Sequence, residues 1–346
     1  MHEFELIKKY FSKLSYRSPG SLHLNDDVFF DKKNKIVISV DTYTEKNHFI
    51  NFKHPDLVIK KIIRSSISDL ICKGATPKYY FISASGNNKS FTKNILAKIS
   101  KSLKEEQKKY NIYLGGGDTV YSNKLSFTIT FLGFAKKIVF RNKSKINDDI
   151  YVTGNLGDSF LGLLVLKGKI KLKKTLTNYF INKYYRPDIK FSLINDLNKF
   201  ATSSIDLSDG LISDLEKLTN IQINSYQLLF DQIPVSKKLS LVLQLKGLLK
   251  KNYISKGDDY QILFTANPKN RKLIKNISSL KNLKVTRIGK ILNNKHRSII
   301  KKISSLKKLK ITRIGTILNA RHKSSIIDRN GHQVKINNTG YFHTFA

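Results

Sequence analysis

Acidic side chains set beside glycines are the residues of this sequence best suited to chemistry. Asp118 closes the run Gly115-Gly116-Gly117-Asp118-Thr119. Three successive glycines pack nothing and lose much chain entropy on folding, so they imply a tight turn or a ligand lying against the main chain. Five more aspartates fall beside turns or at expected element ends: Asp27 in LNDDV, Asp41 in SVDT, Asp69 in SISDLICKGA, and Asp206 and Asp209 in IDLSDGL. Singly, each reads equally well as a solvated or capping residue. Asp69 stands apart. It falls in the last turn of an expected helix, where the macrodipole disfavours a carboxylate by a few tenths to about 1 kcal/mol. Lys73, one turn on, would offset that, and a divalent cation would do so more strongly. Asp209 lies at an expected helix start, where it or Ser208 would cap.

Clustered carboxylates in a chain with few histidines and one cysteine favour a hard, oxygen-seeking ion, Mg²⁺ above all, over zinc. Mg²⁺ held by carboxylates usually carries substrate phosphates, and a glycine turn offers backbone N–H groups to the same anions. A Walker A loop is absent. The nearest stretch, GLLVLKGK (Gly162–Lys169), has the wrong spacing and runs into Ile170 where Ser or Thr is required.

The elements that must position these acids alternate between strands and helices. KIVISVDTYT (Lys35–Thr44) reads as a buried strand ending at Asp41. HPDLVIKKIIRSSISDLICKGATP reads as a helix with Pro55 in its first turn, an apolar stripe of Leu57, Val58, Ile62, Ile67, Leu70 and Ile71, and a stop at Gly74 and Pro77. KYYFISAS and LSFTITFLGFA read as strands with an amphipathic helix between them. A polar break falls at Asn142–Asp149. Beyond it, IYVTGNLGDSFLGLLVL and SSIDLSDGLISDLEKL each read as strand, glycine turn and helix, with Leu211, Leu215 and Leu218 on one face. The expectation is a mixed α/β chain in two domains, 1–140 and 141–346.

Composition narrows the class. At 346 residues and 40% hydrophobic, the chain buries a substantial core. A lone cysteine, Cys72, excludes an internal disulfide. The start, MHEFELIKKYFSKL, is amphipathic rather than a secretory signal, and no apolar run suits a membrane span, so a cytoplasmic setting is expected. The formal charge of +38 would suit a nucleic acid or an anionic small substrate. The basic residues spread from Lys8 to Lys335 without forming an arm, and no zinc-finger spacing occurs. No specific nucleic-acid partner is expected.

One repeat lies near the C-terminus. Ile277–His296 recurs as Ile303–His322, 26 residues on, with fifteen of twenty positions identical. A single-copy sheet offers one slot to the two nearly identical strands. Only the second copy runs directly into the C-terminal segment, so connectivity predicts that it takes the slot and that the first is a surface insertion. Deleting Ser278–Ile303 is then expected to keep fold and activity.

The ordered series NDDVFF, SVDTYTEKNHF, SISDLICKGATP, LGGGDT, DDIYVTGNLGDSFLGL, IDLSDGLISDL, GDDYQILFT and GYFHTF resembles the thiamine-monophosphate kinase family, within the AIR-synthetase-like superfamily, over nearly the whole chain. The resemblance implies a two-domain α/β enzyme, dimeric through its N-terminal domains, that moves a phosphoryl group from ATP to thiamine monophosphate. Carried over position by position, it implies Mg²⁺ ligands at Asp27, Ser39, Val40 (through its carbonyl), Asp41, Asp69, Asp118, Asp206 and Asp209. ATP contacts fall at Gly117, Arg141 and Ser208, with Asp118, Asp209 and Arg141 central to catalysis. The thiamine phosphate would meet His48, Asp258 and Tyr341. Two departures fall nearby: LNDD lacks the family's usual glycine, and Lys256 replaces a glycine in SKGDDYQ. Related enzymes that make a purine precursor or selenophosphate are the nearest rivals, and NHF and GYFHTF argue against them.

Overall fold

A computed structural model describes residues 3–220, 224–292, 324–336 and 340. The fold is mixed α/β and is built on two sheets. The first comprises β1 (Phe29–Asp31), β2 (Ile36–Thr44), β3 (Thr76–Gly86), β4 (Tyr113–Tyr121) and β5 (Ser126–Phe134), in the order β1-β2-β5-β3-β4. All its pairings are antiparallel except β3 with β4, whose parallel match requires a crossover. Helix α2 (Lys93–Tyr110) supplies it.

Helix α1 (Pro55–Cys72) starts with its proline in the first turn and is followed by Gly74 at φ 73°. Sequence periodicity implies one apolar stripe, yet nearly the whole circumference is buried, Lys60, Lys61 and Arg64 included. The reason is its position: α1 packs against β2 and β5 of the first sheet and against β7 (Ala201–Asp206) of the second. Buried charges on such a helix must find partners. Lys61 meets Asp258, and Arg64 forks onto Glu106.

Two expectations about the first sheet change. Strand β2 continues to Thr44, so Asp41 lies inside it. LGGGDT is not a turn but part of β4, an exposed edge strand. The glycines answer to the neighbouring strand: a Cβ on Gly117 would lie 1.8 Å from the Ile82 carbonyl oxygen, and one on Gly115 would lie 2.9 Å from the Phe81 ring. The register between β3 and β4 shifts at this point.

The second sheet runs β11-β8-β10-β6-β9-β7, with β6 (Asp149–Thr153), β8 (Ser225–Leu229), β9 (Ile262–Ala266), β10 (Val285–Leu292) and β11 (Ser325–Ile327). Helices α3 (Asp158–Leu166), α4 (Lys174–Tyr185), α5 (Ile194–Phe200), α6 (Leu211–Asn220), α7 (Lys237–Leu245) and α8 (Arg271–Leu280) surround it. Leu211, Leu215 and Leu218 are buried as their spacing implies.

The repeat resolves against the connectivity argument. The first copy is not a surface insertion: it forms the end of α8 and all of β10, which sits between β8 and β6 with Ile288 and Ile291 fully buried. The chain leaves β9 through α8 straight into β10, so the first unit reached fills the slot. The repeat also extends upstream, as Arg271–His296 followed directly by Arg297–His322; three further identities (Arg, Ile, Lys) bring the match to 15 + 3 = 18 of 26. The second copy lies outside the described residues.

Candidate active site

Three carboxylates converge where α1 bridges the sheets. Asp41 comes from β2, Asp69 from the last turn of α1, and Asp206 from the end of β7. Burial raises all three above the ordinary carboxylate range: Asp41 despite hydrogen bonds from Ser66, Asp69 and Tyr43, and Asp69 further through the charges of Asp41 and Asp206. Asp206 is pushed up to about 8, by burial first and then by Asp27, against a hydrogen bond from Ser68. Each acid disfavours ionisation of the next, as carboxylates crowded into a buried site do.

Asp27 behaves oppositely. Burial would raise it, but Lys73 and Arg141 hold it well below the usual range. Lys73 Nζ lies 2.7 Å from Asp27 Oδ2, and Arg141 Nη1 lies 2.9 Å from Oδ1. Asp209 is paired too, its Oδ2 2.5 Å from Lys217 Nζ. At the start of α6, Asp214 reaches back, its Oδ2 accepting from the backbone N–H of Asp209 and Gly210, each at 3.0 Å. Asp214 itself is pushed up to about 6 by burial, against the pull of Lys217.

Backbone packing brings the acceptor-side loop against this cluster. A Cβ on Gly257 would lie 2.2 Å from the Ser208 carbonyl oxygen, and the Asp258 N–H donates to that same oxygen at 2.9 Å. Asp258 takes a left-handed φ of 60° and pairs with the buried Lys61 at 2.9 Å. Lys61 Nζ also sits 3.7 Å over the Tyr184 ring, and the Tyr184 hydroxyl donates to the His48 carbonyl oxygen at 3.2 Å. His48 and Asp258 thus belong to one connected set. His48 Nδ1 accepts from the Thr44 N–H at 3.0 Å, which places the ring proton on Nε2. Tyr341 lies outside the described residues; Gly340, just before it, lies against the Asp209 carbonyl.

Asp118 is not brought to the cluster within the chain. Asp41, Ile129, Ile82 and Gly117 form one row across the first sheet, so Gly117 stands three ladders, about 14 Å, from Asp41. The neighbouring row is Thr42, Thr128, Ser83 and Asp118. Asp41 faces α1, and Asp118 faces the opposite, open side with Val40, which is 62% exposed.

The donors present suit Mg²⁺ in kind: carboxylates, the Val40 carbonyl and the Ser39 hydroxyl. Ser39 Oγ, on the same strand face as Asp41, is buried without a hydrogen-bond partner. Among the described residues no three His, Cys, Asp or Glu side chains are drawn together as a preformed metal cage. A consequence follows for stability. Asp206, with its folded value raised, contributes stability that is fully present below its ordinary range and lost as pH rises through about 8. Metal-free protein is therefore expected to melt progressively lower from about pH 5 to about pH 9, with Mg²⁺ restoring more at the upper end because the ion replaces protons. Thermal melts in chelator and in Mg²⁺ read this directly; a larger Mg²⁺ gain at the acid end would contradict it.

Comparison with known proteins places this arrangement. The sequence pattern described as AIR synthase related protein, N-terminal domain, matches residues 25–135. Thiamine-monophosphate kinase of Buchnera aphidicola subsp. Acyrthosiphon pisum is 35% identical over 301 residues, covering 84% of this chain and 90% of that protein. That of Haemophilus influenzae is 33% identical over 298 residues, covering 84% and 89%. Among solved structures, AaThiL complexed with AMPPCP and TMP matches with a TM-score of 0.79 at 22% identity, covering 99% of this chain and 97% of that one. A HypE–HypF complex matches more loosely, with a TM-score of 0.69 at 14% identity over 96% and 99%. These likenesses show an AIR-synthetase-like fold.

Proposed function

This chain belongs to the thiamine-monophosphate kinase family, and from that premise we propose that it transfers the γ-phosphoryl group of ATP to thiamine monophosphate with Mg²⁺, giving thiamine diphosphate. The observation that carries this reading is the convergence of Asp41, Asp69 and Asp206 beside the packed loops of Ser208 and Asp258. These crowded carboxylates stand next to a separate set that suits an acceptor. In the division of labour we propose, residues 1–140 hold ATP and metal, and residues 141–346 complete the phosphate and acceptor site.

The accepting phosphate oxygen is already ionised, so the chain needs no general base and its task is positioning and charge neutralisation. When bound, Mg²⁺ offsets the repulsion between the two phosphates. Arg141 is buried against Asp27 with its Nε unpartnered, leaving a guanidinium N–H for a nucleotide phosphate. The Asp27 carboxylate fixes that guanidinium. His48, with its proton on Nε2, is a donor suited to the acceptor, and Tyr341 supplies an aromatic face for the cationic thiamine rings.

We further propose a homodimer in which Gly117 and Asp118 serve the site of the other copy. The open face of the first sheet carries Phe29, Val40, Tyr79, Phe81 and Phe134, and its edge strand carries Leu114, Val120 and Tyr121, all exposed. An apolar face and an edge that no other described strand pairs call for a cover. Asp118 lies on that face.

Purified chain with ATP, Mg²⁺ and thiamine monophosphate is expected to form thiamine diphosphate, followed by chromatography; absence of product with the folded chain would refute the activity. His48→Ala is expected to raise KM for thiamine monophosphate about tenfold while leaving KM for ATP nearly unchanged, as when one substrate's ground-state contact is lost. An equal rise in both would put His48 on the wrong substrate.

A further inference from the structure

Lys73 follows the last turn of α1, and its side chain is wholly excluded from solvent. A buried ammonium is tolerated only with compensating charge and hydrogen bonds. Here Nζ lies 2.7 Å from Asp26 Oδ1, 2.7 Å from Asp27 Oδ2, and 2.8 Å from the Ser204 carbonyl oxygen on β7. One cation therefore ties together the loop before β1, the end of α1 and the second sheet. The C-terminal end of α1 favours positive charge at this place as well.

The two remaining oxygens of this pair are also engaged. Asp26 Oδ2 accepts from the Arg141 backbone N–H at 2.9 Å, and Asp27 Oδ1 meets Arg141 Nη1 at 2.9 Å. Each carboxylate of the pair thus faces fixed cations of the chain itself, although Asp27 Oδ2, like Ser39 Oγ, lacks a partner of hydrogen-bond geometry and is held by Lys73 through charge alone. Asp41, Asp69 and Asp206 differ: among the described residues none of them forms an ion pair. The buried, unpartnered Ser39 hydroxyl is on their side, sharing a strand face with Asp41.

We propose that Lys73 is the resident counter-cation of the Asp26–Asp27 half of the site, so that the nucleotide-free chain binds divalent metal through Asp41, Asp69 and Asp206 and not through Asp27. Lys73 is then a positioning residue: it holds Asp27 for Arg141 and replaces an ion that these two carboxylates would otherwise recruit. This rests on reading the cluster as a metal site, and it departs from the full ligand set that family resemblance implies for Asp27.

The test counts Mn²⁺ bound to the full-length, nucleotide-free chain by electron paramagnetic resonance. Asp206→Asn and Asp69→Asn are each expected to weaken Mn²⁺ binding at least about tenfold, as loss of a charged ligand does. Asp27→Asn is expected to weaken binding clearly less than either, through loss of a neighbouring charge alone, and to leave the count unchanged. Lys73→Met is expected to add one Mn²⁺ per chain, and Lys73→Met with Asp27→Asn to lose it again. A Lys73 with a merely structural role would not alter the count. Should Lys73→Met fail to fold, the comparison of Asp27→Asn with Asp206→Asn in the otherwise native chain still decides. Equal weakening by those two variants, or an unchanged count in folded Lys73→Met, overturns the assignment. Failure of the native chain to bind any Mn²⁺ would overturn the metal reading itself, and this proposal with it.

Discussion

Asp118→Asn is expected to lower turnover about a thousandfold, and mixing that variant with Asp206→Asn is expected to recover about a quarter of native activity. The loss follows from removing a charged group beside the transferring phosphate, which costs about 4 kcal/mol of transition-state stabilisation for each thousandfold. The recovery follows from the first sheet. Asp118 and Asp41 lie in adjacent rows that face opposite sides, and Gly117 stands three ladders from Asp41. No rotamer of Asp118 carries its carboxylate through the sheet to Asp69 and Asp206. If it acts in a site, that site belongs to another copy.

Random pairing of the two variants makes about half of the dimers mixed. In a mixed dimer one site combines an intact Asp206 with an intact Asp118 and works, while the other carries both lesions. Half of the dimers with one working site of two gives about one quarter of the native rate. Action of Asp118 within its own chain would leave every mixed site with one lesion, and no activity would return. Co-expressed, differently tagged variants separate these outcomes. Recovery near zero in a proven mixed dimer would refute the shared site.

Local order was legible wherever periodicity and punctuation agreed. Pro55 and Gly74 bracket α1, and Leu211, Leu215 and Leu218 mark the buried face of α6. The acids were legible as a set because they recur in ordered motifs. Their partners were not. Lys61 and Lys73 are buried cations and Lys217 a partly buried one, in a chain whose other lysines are so numerous that none stands out by type. Lys61 does carry a signal, because it falls between Ile59 and Ile62 on a helix packed on two sides. Asp214 was legible in principle as an acid in a helix first turn, but the nearer Asp209 and Ser208 drew the capping role. LGGGDT misleads for a different reason. Glycine runs mark close approach, and what approaches, a neighbouring strand or a phosphate, depends on tertiary pairing that the local sequence does not contain.

Removing either copy of the 26-residue repeat is expected to leave a folded, active protein, whereas removing Arg271–His322 is expected to abolish cooperative folding. The first copy occupies the slot through residues that the second copy repeats. Arg271 and Arg287 both pair with Asp149, and Arg297 and Arg313 stand in their places. Ile274, Ile277, Ile288 and Ile291 are buried, and Ile300, Ile303, Ile314 and Ile317 match them. A Cβ on Gly289 would strike the Gln227 carbonyl at 2.1 Å, and position 315 is again glycine. Deleting Ser278–Ile303 therefore threads the second copy into the same slot. The main penalty falls at Asn282, held at φ 48°, where Lys308 would take a left-handed conformation at about 1 kcal/mol. Deleting Arg297–His322 instead leaves 4 + 2 = 6 residues between Leu292 and Ser325. Those ends lie near the same end of the sheet on either side of β8, about 12 Å apart, an easy span for six residues. With both copies gone, four buried isoleucines are lost, about 6–12 kcal/mol of burial and comparable to the whole stability of a typical domain. The strand joining β8 to β6 goes with them. Thermal melts and product formation for the three deletions test this together. A single deletion that unfolds would show that both copies are needed, and a cooperative melt in the double deletion would show that β10 is dispensable.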